Sequence, residues 1–193
     1  MRKTEIKRET KETDIKLSLN LDGNGKNSID TQIPFFDHML TIFSKHSNID
    51  LNLTAVGDIE IDFHHTIEDT GIVLGEAIKK ALLDKKGISR FGDATVPLDE
   101  SLARVVVDIS GRTYLHYNVN IKRRDDGSNV NPYIFEEFFR AFVNSANITL
   151  HVDSIRGKNS HHIIESIFKA FAKALKDAVK IVNDDLPTTK GVL

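Results

Sequence analysis

Cysteine is absent from this chain of 193 residues. Its absence excludes disulfide bonds and thiolate metal sites, so any bound metal must be held by nitrogen and oxygen ligands. Long apolar runs are also missing, and none approaches the roughly 18 residues that a membrane-spanning helix needs. The N-terminal segment has no apolar region of the kind found in signal peptides. These absences predict a cytoplasmic protein with no membrane partner.

A strong excess of charge is missing too. The formal net charge at pH 7 is −2, so no overall positive field attracts nucleic acid or an anionic membrane. The basic residues Lys122, Arg123 and Arg124 are expected in a solvated loop. The composition, 40% hydrophobic and 28% charged, is typical of a globular protein, and the length suits one domain or two small ones.

The spacing of apolar residues predicts strands and helices along the chain. Alternation from Ile15 to Leu21 predicts a half-buried strand, and the DGNG that follows is typical of a hairpin turn. A helix is predicted from Pro34, with its buried stripe formed by Phe36, Met39, Leu40 and Phe43. The stretch DIEIDF is predicted as a strand, and Gly87 as the C-cap of the helix after it.

The second half of the chain repeats the order of the first. A shift of 99 residues places Phe36 on Phe135 and the strand NIDLNL on NITLHV. The motif His-His-x-x-Glu also occurs in both halves, beginning at His64 and at His161. A helical stripe, a strand and a polar motif that match in order indicate an internal duplication. The predicted fold class is therefore α+β, with two similar α/β halves packed as one unit.

Each His-His-x-x-Glu motif can offer metal ligands in two directions. In a helix the first histidine and the glutamate are i and i+4 and share a face, whereas the second histidine points about 100° away. His38 lies just off the buried stripe of the first half, and the shift of 99 residues places it on Glu137. Eight candidate ligands result: His38, His64, His65, Glu68, Glu137, His161, His162 and Glu165. Imidazole and carboxylate without sulfur suit Mn, Fe, Ni or Zn. The remaining histidines His46, His116 and His151 have no such duplicated support and are interpreted as structural.

A second group of residues could bind an anion. Arg90 and Arg112 lie at predicted turns, and Lys190 lies in the polar C-terminal tail beside Thr188 and Thr189. Guanidinium groups, a lysine and hydroxyls are common ligands of phosphate. The tail could close over a bound ligand as a lid.

Taken together, the motifs resemble those of the imidazoleglycerol-phosphate dehydratase family. The resemblance covers nearly the whole chain and is carried by FFDHML, DFHHTIEDTGIVLG, RFGD, PLDESLARVVVDISGRTYL, EEFFRAF, GKNSHHIIESIFKAFAKAL and TTKGVL. It implies a lyase that dehydrates D-erythro-imidazoleglycerol phosphate in L-histidine biosynthesis, in a form without a fused phosphatase domain. It also implies a single domain over residues 1–193, with halves of about 1–90 and 91–185 and a substrate-closing tail at 186–193.

The same resemblance implies the architecture and the site. Each half is expected to be a four-stranded sheet with two helices, in a fold like domain 2 of ribosomal protein S5. A 24-subunit homo-oligomer is expected, with two Mn²⁺ per active site and the active sites at subunit interfaces. The resemblance assigns phosphate contacts to Arg90, Arg112, Thr188, Thr189 and Lys190, and catalytic roles to Glu12, His65, Glu68 and His162. The family often has histidine where this chain has Glu137, so a slightly more anionic metal shell is expected.

The reaction that the resemblance implies passes through an imidazolate and a diazafulvene-like intermediate. We hypothesise that one metal binds His38, His65, His161 and Glu165, and the other His64, Glu68, Glu137 and His162. Glu12 would transfer the proton at the side chain of the substrate. Two alternatives stay open: a dinuclear metal-dependent hydrolase with the same ligands, and a non-catalytic metal-binding shell. The arginines and the tail favour the dehydratase, because a metal shell would leave them without a role.

Overall fold

The computed structural model describes residues 2–121, 131–191 and 193. The solvated loop predicted at Lys122, Arg123 and Arg124 lies outside these residues. The first half contains β1 (Lys3–Glu9), β2 (Thr13–Asn20), β3 (Asn27–Asp30), α1 (Pro34–Ser47), β4 (Asp50–Gly57) and α2 (His64–Ala81). The second half contains β5 (Phe91–Leu98), β6 (Ser101–Asp108), β7 (Tyr114–Asn118), α3 (Ile134–Ala146), β8 (Thr149–Arg156) and α4 (Ser160–Val179).

The two halves form two four-stranded sheets with the same strand order. The first sheet is ordered β1-β2-β4-β3 and the second β5-β6-β8-β7. In each sheet the last pair, β3 with β4 or β7 with β8, is parallel and the other pairs are antiparallel. The predicted fold class, two duplicated halves each with a four-stranded sheet and two helices, is confirmed.

The four helices lie between the two sheets and join them through one core. Helices α1 and α2 pack on the first sheet, α3 and α4 pack on the second, and α1 contacts α4 while α2 contacts α3. The centre of this layer is aromatic, and the halves meet where Phe36 packs on Phe138 and Phe43 stacks on Phe171. The fully buried rings are Phe36, Phe43, Phe135, Phe138, Phe139, Phe142, Phe168 and Phe171. The helical stripe predicted from Pro34 onward is part of this core. No described helix has both the length and the hydropathy that crossing a bilayer requires.

The hairpin turn predicted at DGNG is wrong. Strand β2 pairs with β4, and β3 lies on the far side of β4, parallel to it. The DGNG segment therefore crosses over the start of β4, where the Asp50 carboxylate accepts hydrogen bonds from the backbone N–H groups of Asn24 and Lys26, each at 2.9 Å. Gly23 packs so closely on Asp50 that a Cβ would lie 2.4 Å from the Asp50 side chain.

Two further local predictions are wrong, and three strands were missed: β1, β5 and the four-residue β3, which has no buried residue. The stretch DIEIDF forms a turn rather than a strand, and α2 ends at Ala81, well before Gly87. Strands β1 and β5 gave no hydrophobic signal because they lie at sheet edges with little apolar burial. In β1 the fully buried residue is Ile6, and the buried positions of β5 are Gly92 and Ala94.

Close contact between α2 and α3 depends on two glycines of α2. A Cβ on Gly71 would lie 2.5 Å from the Phe138 carbonyl oxygen, and a Cβ on Gly75 would lie 2.5 Å from the Phe142 carbonyl oxygen. These are backbone atoms of α3, so they cannot rotate away as a side chain would. The two helices must separate to admit a methyl group at either position.

We expect Gly71→Ala to destabilise the protein by about 1–3 kcal/mol, because the methyl group forces α2 and α3 apart. This loss exceeds the gain of about 1 kcal/mol that alanine gives in a helix interior. Denaturant unfolding at equal protein concentration measures the effect. Lys80→Ala, at an exposed position of the same helix, is the control and should change stability by less than about 0.5 kcal/mol. A Gly71→Ala variant as stable as the wild type would contradict the proposed contact.

Candidate functional site

The candidate metal ligands lie near the N-terminal ends of the four helices, and these ends lie together. Gly71 and Gly75 of α2 meet Phe138 and Phe142 of α3 in the same order, so these two helices run parallel. Helices α1 and α4 are parallel as well, since His38 lies beside His161 and, further along, Phe43 stacks on Phe171. The pairs are joined at their beginnings by Phe35 and Phe135, whose ring centroids are 5.8 Å apart.

One cluster of ligands lies between α1 and α4. His161 Nε2 lies 3.0 Å from Glu165 Oε2, and His38 Nε2 lies 3.4 Å from the same oxygen. The ligand atoms of these three residues all lie within 4.8 Å of one another, and within the described residues no other group of three or more His, Asp or Glu meets this criterion. The predicted i, i+4 pair and its off-stripe histidine are therefore together in one chain.

The Glu165 carboxylate is held in its ionised form. Burial alone would raise its pKa, but the Lys169 ammonium, with Nζ 2.7 Å from Oε1, outweighs burial, and the pKa is lowered. His161 and His38 contribute in the same direction. Lys169 thus neutralises Oε1, while Oε2 faces the two imidazoles. Oε2 is therefore the atom that a cation would approach.

A second, looser cluster lies between α2 and α3. His64 Nε2 lies 3.4 Å from Glu68 Oε2, again as an i, i+4 pair. Glu137 of α3 lines the same open cleft as His64, together with Tyr133 and Asp62. Glu137 also lies 3.7 Å from Arg140 Nε. The duplication is therefore visible in space, because each half pairs its His-x-x-x-Glu face with a residue from a helix of the other half.

The off-face histidine of the first half, His65, has its partners outside both clusters. Its Nδ1 lies 2.9 Å from Asp58 Oδ2, and since a carboxylate can only accept, Nδ1 donates the hydrogen. This bond is the main reason that the pKa of His65 is raised. The remaining nitrogen, Nε2, lies 3.9 Å from Glu12 Oε2, so the structure brings the predicted acid–base residue to this histidine.

The off-face histidine of the second half, His162, has a matching partner. Its Nδ1 donates to Glu100 Oε2 at 2.8 Å, which raises the pKa of His162 and holds the pKa of Glu100 far below its usual range. The other oxygen of Glu100 accepts from the backbone N–H groups of Lys158 and Asn159, at 3.0 and 2.9 Å, and so fixes the start of α4.

Sequence reasoning missed Asp58 and Glu100 as partners of the off-face histidines. Both carboxylates engage Nδ1, which leaves Nε2 of His65 and His162 free to act as the ligand atom. The chain alone does not bring His65 into the His38 cluster among the described residues, and its assignment there stays a prediction. Glu100 had one usable signal, because it precedes the first residue of β6 as Glu12 precedes the first residue of β2.

The turn that carries Glu12 is anchored to α2. Asp69, the residue after Glu68, accepts from Thr13 Oγ1 at 2.5 Å and pairs with Arg8 Nη2 at 3.0 Å. The carbonyl oxygen of Glu12 accepts from the backbone N–H of Asp58 at 3.1 Å. The same stretch of chain therefore positions Glu12, His65 and the carboxylate behind His65.

The candidate anion ligands also lie together, around a carboxylate that was not predicted. The Asp108 carboxylate accepts hydrogen bonds from Arg90 Nε at 2.7 Å and from Arg90 Nη2 at 3.2 Å. Arg112 Nη2 lies 3.8 Å from Oδ2 of the same carboxylate. The tail reaches this point, since Arg90 Nη1 donates to the Pro187 carbonyl at 2.9 Å. Thr188 is half-buried, and Thr189 and Lys190 are exposed.

Within one chain the metal ligands and the arginines are far apart. The backbone N–H of Arg90 donates to the carbonyl of Ala178, in the last turn of α4, whereas His161 lies in its first turn. The helical rise of 1.5 Å per residue separates these points by about 25 Å. A small ligand bound to one group cannot reach the other group of the same chain.

The donor set fits a divalent metal such as Mn²⁺. The clusters offer only imidazole nitrogens and carboxylate oxygens, and the α1–α4 cluster already places three ligand atoms around one point. Histidines outside the clusters lie elsewhere: His116 and His151 are neighbours on paired strands of the second sheet, with ring centroids 5.4 Å apart.

Comparisons with known proteins agree on one family. Residues 31–175 match the model of the family described as imidazoleglycerol-phosphate dehydratase. The chain is 53% identical over 195 residues to the imidazoleglycerol-phosphate dehydratase of Thermodesulfovibrio yellowstonii, covering 100% of both chains. It is 55% identical over 177 residues to that of Syntrophomonas wolfei, covering 92% of this chain and 89% of the relative.

Solved structures give the same result. The crystal structure of imidazoleglycerol-phosphate dehydratase from Staphylococcus aureus is 42% identical, with a TM-score of 0.84, and the match covers 93% of this chain and 99% of that one. The enzyme from Pyrococcus furiosus is 38% identical, also with a TM-score of 0.84, and the match covers 97% of this chain and 100% of that one.

We expect Glu100→Gln to weaken Mn²⁺ binding by about 10- to 100-fold, because the amide keeps one acceptor oxygen and cannot serve both the backbone N–H groups of Lys158 and Asn159 and the Nδ1 that fixes the tautomer of His162. Equilibrium dialysis against Mn²⁺ measures the loss without reference to catalysis. Glu5→Gln, on the exposed side of β1, removes the same charge far from the histidines and is the control. Equal Mn²⁺ affinity in the Glu100→Gln and Glu5→Gln variants would show that Glu100 only caps α4.

Proposed function

The chain belongs to the imidazoleglycerol-phosphate dehydratase family, and we propose that it removes water from imidazoleglycerol phosphate to give imidazoleacetol phosphate in the biosynthesis of L-histidine. The observation that carries the proposal is the pair of histidine–carboxylate clusters at one end of the helix layer, repeated in both halves. The arginine group at the other end fits a substrate that keeps its phosphate.

Two Mn²⁺ ions are the proposed cofactors. His38, His161 and Glu165 would hold one, and His64, Glu68 and Glu137 the other, with His65 and His162 completing the sites from another copy of the chain. The charge on Oε2 of Glu165 and the free Nε2 atoms of the off-face histidines support this arrangement. When bound, the ions act as Lewis acids that stabilise negative charge on the imidazole ring of the substrate.

The proposed reaction has one main chemical difficulty. The hydrogen to be removed is on a carbon that is not next to a carbonyl, so no enolate can form directly. Loss of the ring N–H proton gives an imidazolate that can expel the neighbouring hydroxyl, which yields a diazafulvene. Loss of the adjacent C–H proton, with return of a proton to the ring nitrogen, then gives an enol, and the enol becomes the ketone product. The expelled hydroxide takes up a proton and leaves as water.

Glu12 is the proposed acid–base residue for the side chain of the substrate. Its Oε2 lies 3.9 Å from His65 Nε2, so a ring held next to His65 would place its substituents beside this carboxylate. The half-exposed Glu12 side chain leaves room for a substrate to enter. The backbone of the Glu12 turn is fixed by Thr13 and Asp69, so the carboxylate does not depend on a mobile loop for its position.

Arg90, Arg112 and the tail residues Thr188, Thr189 and Lys190 are the proposed phosphate ligands. The link from Arg90 to the Pro187 carbonyl supports a tail that closes beside the bound phosphate. Because the metal ligands lie about 25 Å away along α4, the ring and the phosphate of one substrate must contact different chains. The proposed active site therefore lies between subunits of a homo-oligomer, and a 24-subunit shell is the proposed assembly.

The decisive experiment follows formation of imidazoleacetol phosphate by protein stripped with chelator, with and without added Mn²⁺. We expect turnover to require metal. Glu12→Gln should lower kcat about 10²- to 10⁴-fold, because it removes general acid–base catalysis while leaving the metal clusters intact. Glu68→Ala should abolish turnover, and Glu5→Gln should match the wild type.

Other outcomes of this assay separate the alternatives. Release of inorganic phosphate in place of the ketone would indicate a hydrolase. Protein that binds Mn²⁺ and assembles but forms no product under any metal would indicate a metal-binding shell. Full activity of Glu68→Ala would refute the ligand assignment.

We also expect that removal of metal breaks the assembly into smaller particles. Ligands drawn from different chains link metal binding to association, since a metal bound only by the assembled form must favour that form. Size-exclusion chromatography before and after chelation, and after return of Mn²⁺, measures the change. A large particle that is unaffected by complete metal removal would contradict sites shared between chains.

A further inference from the structure

We propose that Asp108 is a positioning residue that holds Arg90 and Arg112 together as one phosphate-binding unit. This inference rests on the proposed function and adds to it a residue that would not touch the substrate. The position of Asp108 at the end of β6 places its carboxylate between two guanidinium groups that lie on different segments of the chain.

Asp108 and Arg90 form a bidentate ion pair. Oδ1 accepts from Nε at 2.7 Å and Oδ2 accepts from Nη2 at 3.2 Å, so both oxygens engage one edge of the planar guanidinium. The two side chains are 19% and 15% exposed, which limits solvent screening of the pair. Arg112 is 66% exposed and lies 3.8 Å from Oδ2, so the same carboxylate draws it toward Arg90.

The backbone of Arg90 is held in a conformation that non-glycine residues rarely adopt. Its φ is +72°, in the left-handed region, and its N–H and C=O are bonded to Ala178 and Ile109 at 2.9 and 3.0 Å. These two backbone hydrogen bonds therefore fix the position and direction from which the Arg90 side chain extends. A residue held in this strained conformation is a reason to look for function in its side chain.

The remaining hydrogens of Arg90 are suited to a further ligand. A guanidinium carries five N–H donors. Asp108 takes two of them and the Pro187 carbonyl takes a third, at Nη1. One hydrogen is left on each terminal nitrogen for phosphate oxygens to accept.

Charge gives Asp108 a second role. Two guanidinium groups that converge on one point repel each other, and the carboxylate between them offsets that repulsion while no phosphate is bound. With Asp108 in place, the two arginines retain a net positive charge for the incoming dianion. Without it, the exposed Arg112 loses the contact that draws it to Arg90.

The test compares Asp108→Asn with Asp93→Asn, which removes an exposed carboxylate from the neighbouring strand β5. Steady-state kinetics give KM and kcat for imidazoleglycerol phosphate, and calorimetry with inorganic phosphate gives the affinity of the anion site alone. We expect Asp108→Asn to raise KM and weaken phosphate binding by about tenfold or more, the loss expected when a charged hydrogen-bond partner is removed, with kcat nearly unchanged. Asp93→Asn should resemble the wild type, and Asp108→Glu, which keeps the charge at altered reach, should be intermediate.

Several results would overturn the inference. Unchanged KM and phosphate affinity in Asp108→Asn would do so, as would a fall in kcat without any change in phosphate binding. If Asp108→Asn fails to fold, Asp108→Glu carries the test, and wild-type constants in that variant would count against the inference. A wild type that binds phosphate but never forms the ketone refutes the proposed function alone, because the calorimetric comparison does not depend on turnover.

Discussion

The contact of α2 with α3 through Gly71 and Gly75 is the constraint on which the rest of the structure depends. Without side chains at these positions, the backbones of helices from opposite halves meet directly. This contact makes the two halves one unit, because it joins a helix that packs on the first sheet to a helix that packs on the second. It also sets the helices parallel and in register, so that His64 and Glu137 share a cleft.

The two halves differ in how they use the same hairpin position. Glu12 and Glu100 each precede the first residue of the second strand in their half. In the second half Glu100 is fully engaged by His162 and by two backbone N–H groups. In the first half Asp58 occupies the corresponding nitrogen of His65, and the Glu12 carboxylate instead faces Nε2 of the same ring, 3.9 Å away. The same position thus supplies a support in one half and a candidate catalytic group in the other.

The sequence could predict the duplication, the central strands and the helices, because those elements bury regular apolar stripes. It could also predict most candidate ligands, because a repeated polar motif marks them in one dimension. It could not predict β1, β3 and β5: β1 buries Ile6 alone, β3 has no buried residue, and the buried positions of β5 are Gly92 and Ala94. The crossover at DGNG was missed for a different reason: Asp50, a residue distant in the chain, decides the path of that loop.

Asp58, Glu100 and Asp108 were missed for a common reason. Each acts by accepting hydrogen bonds from a residue on another segment of the chain, and an isolated carboxylate in a sequence is usually interpreted as an exposed charge. A helix, in contrast, makes the distance between groups at its two ends predictable, because its rise per residue is constant. The separation of the two ligand groups along α4 follows from the sequence positions as soon as Arg90 is seen to contact Ala178.

That separation has a genetic consequence. In the proposed assembly the metal ligands and the phosphate ligands of each reaction centre come from different chains. A variant that lacks Glu68 and a variant that lacks Arg112 would each be inactive alone, since every centre they form has a defect. Mixed in one particle, the two variants would create some centres in which both contributing surfaces are intact. Two damaged copies of the same gene product could then restore activity to each other.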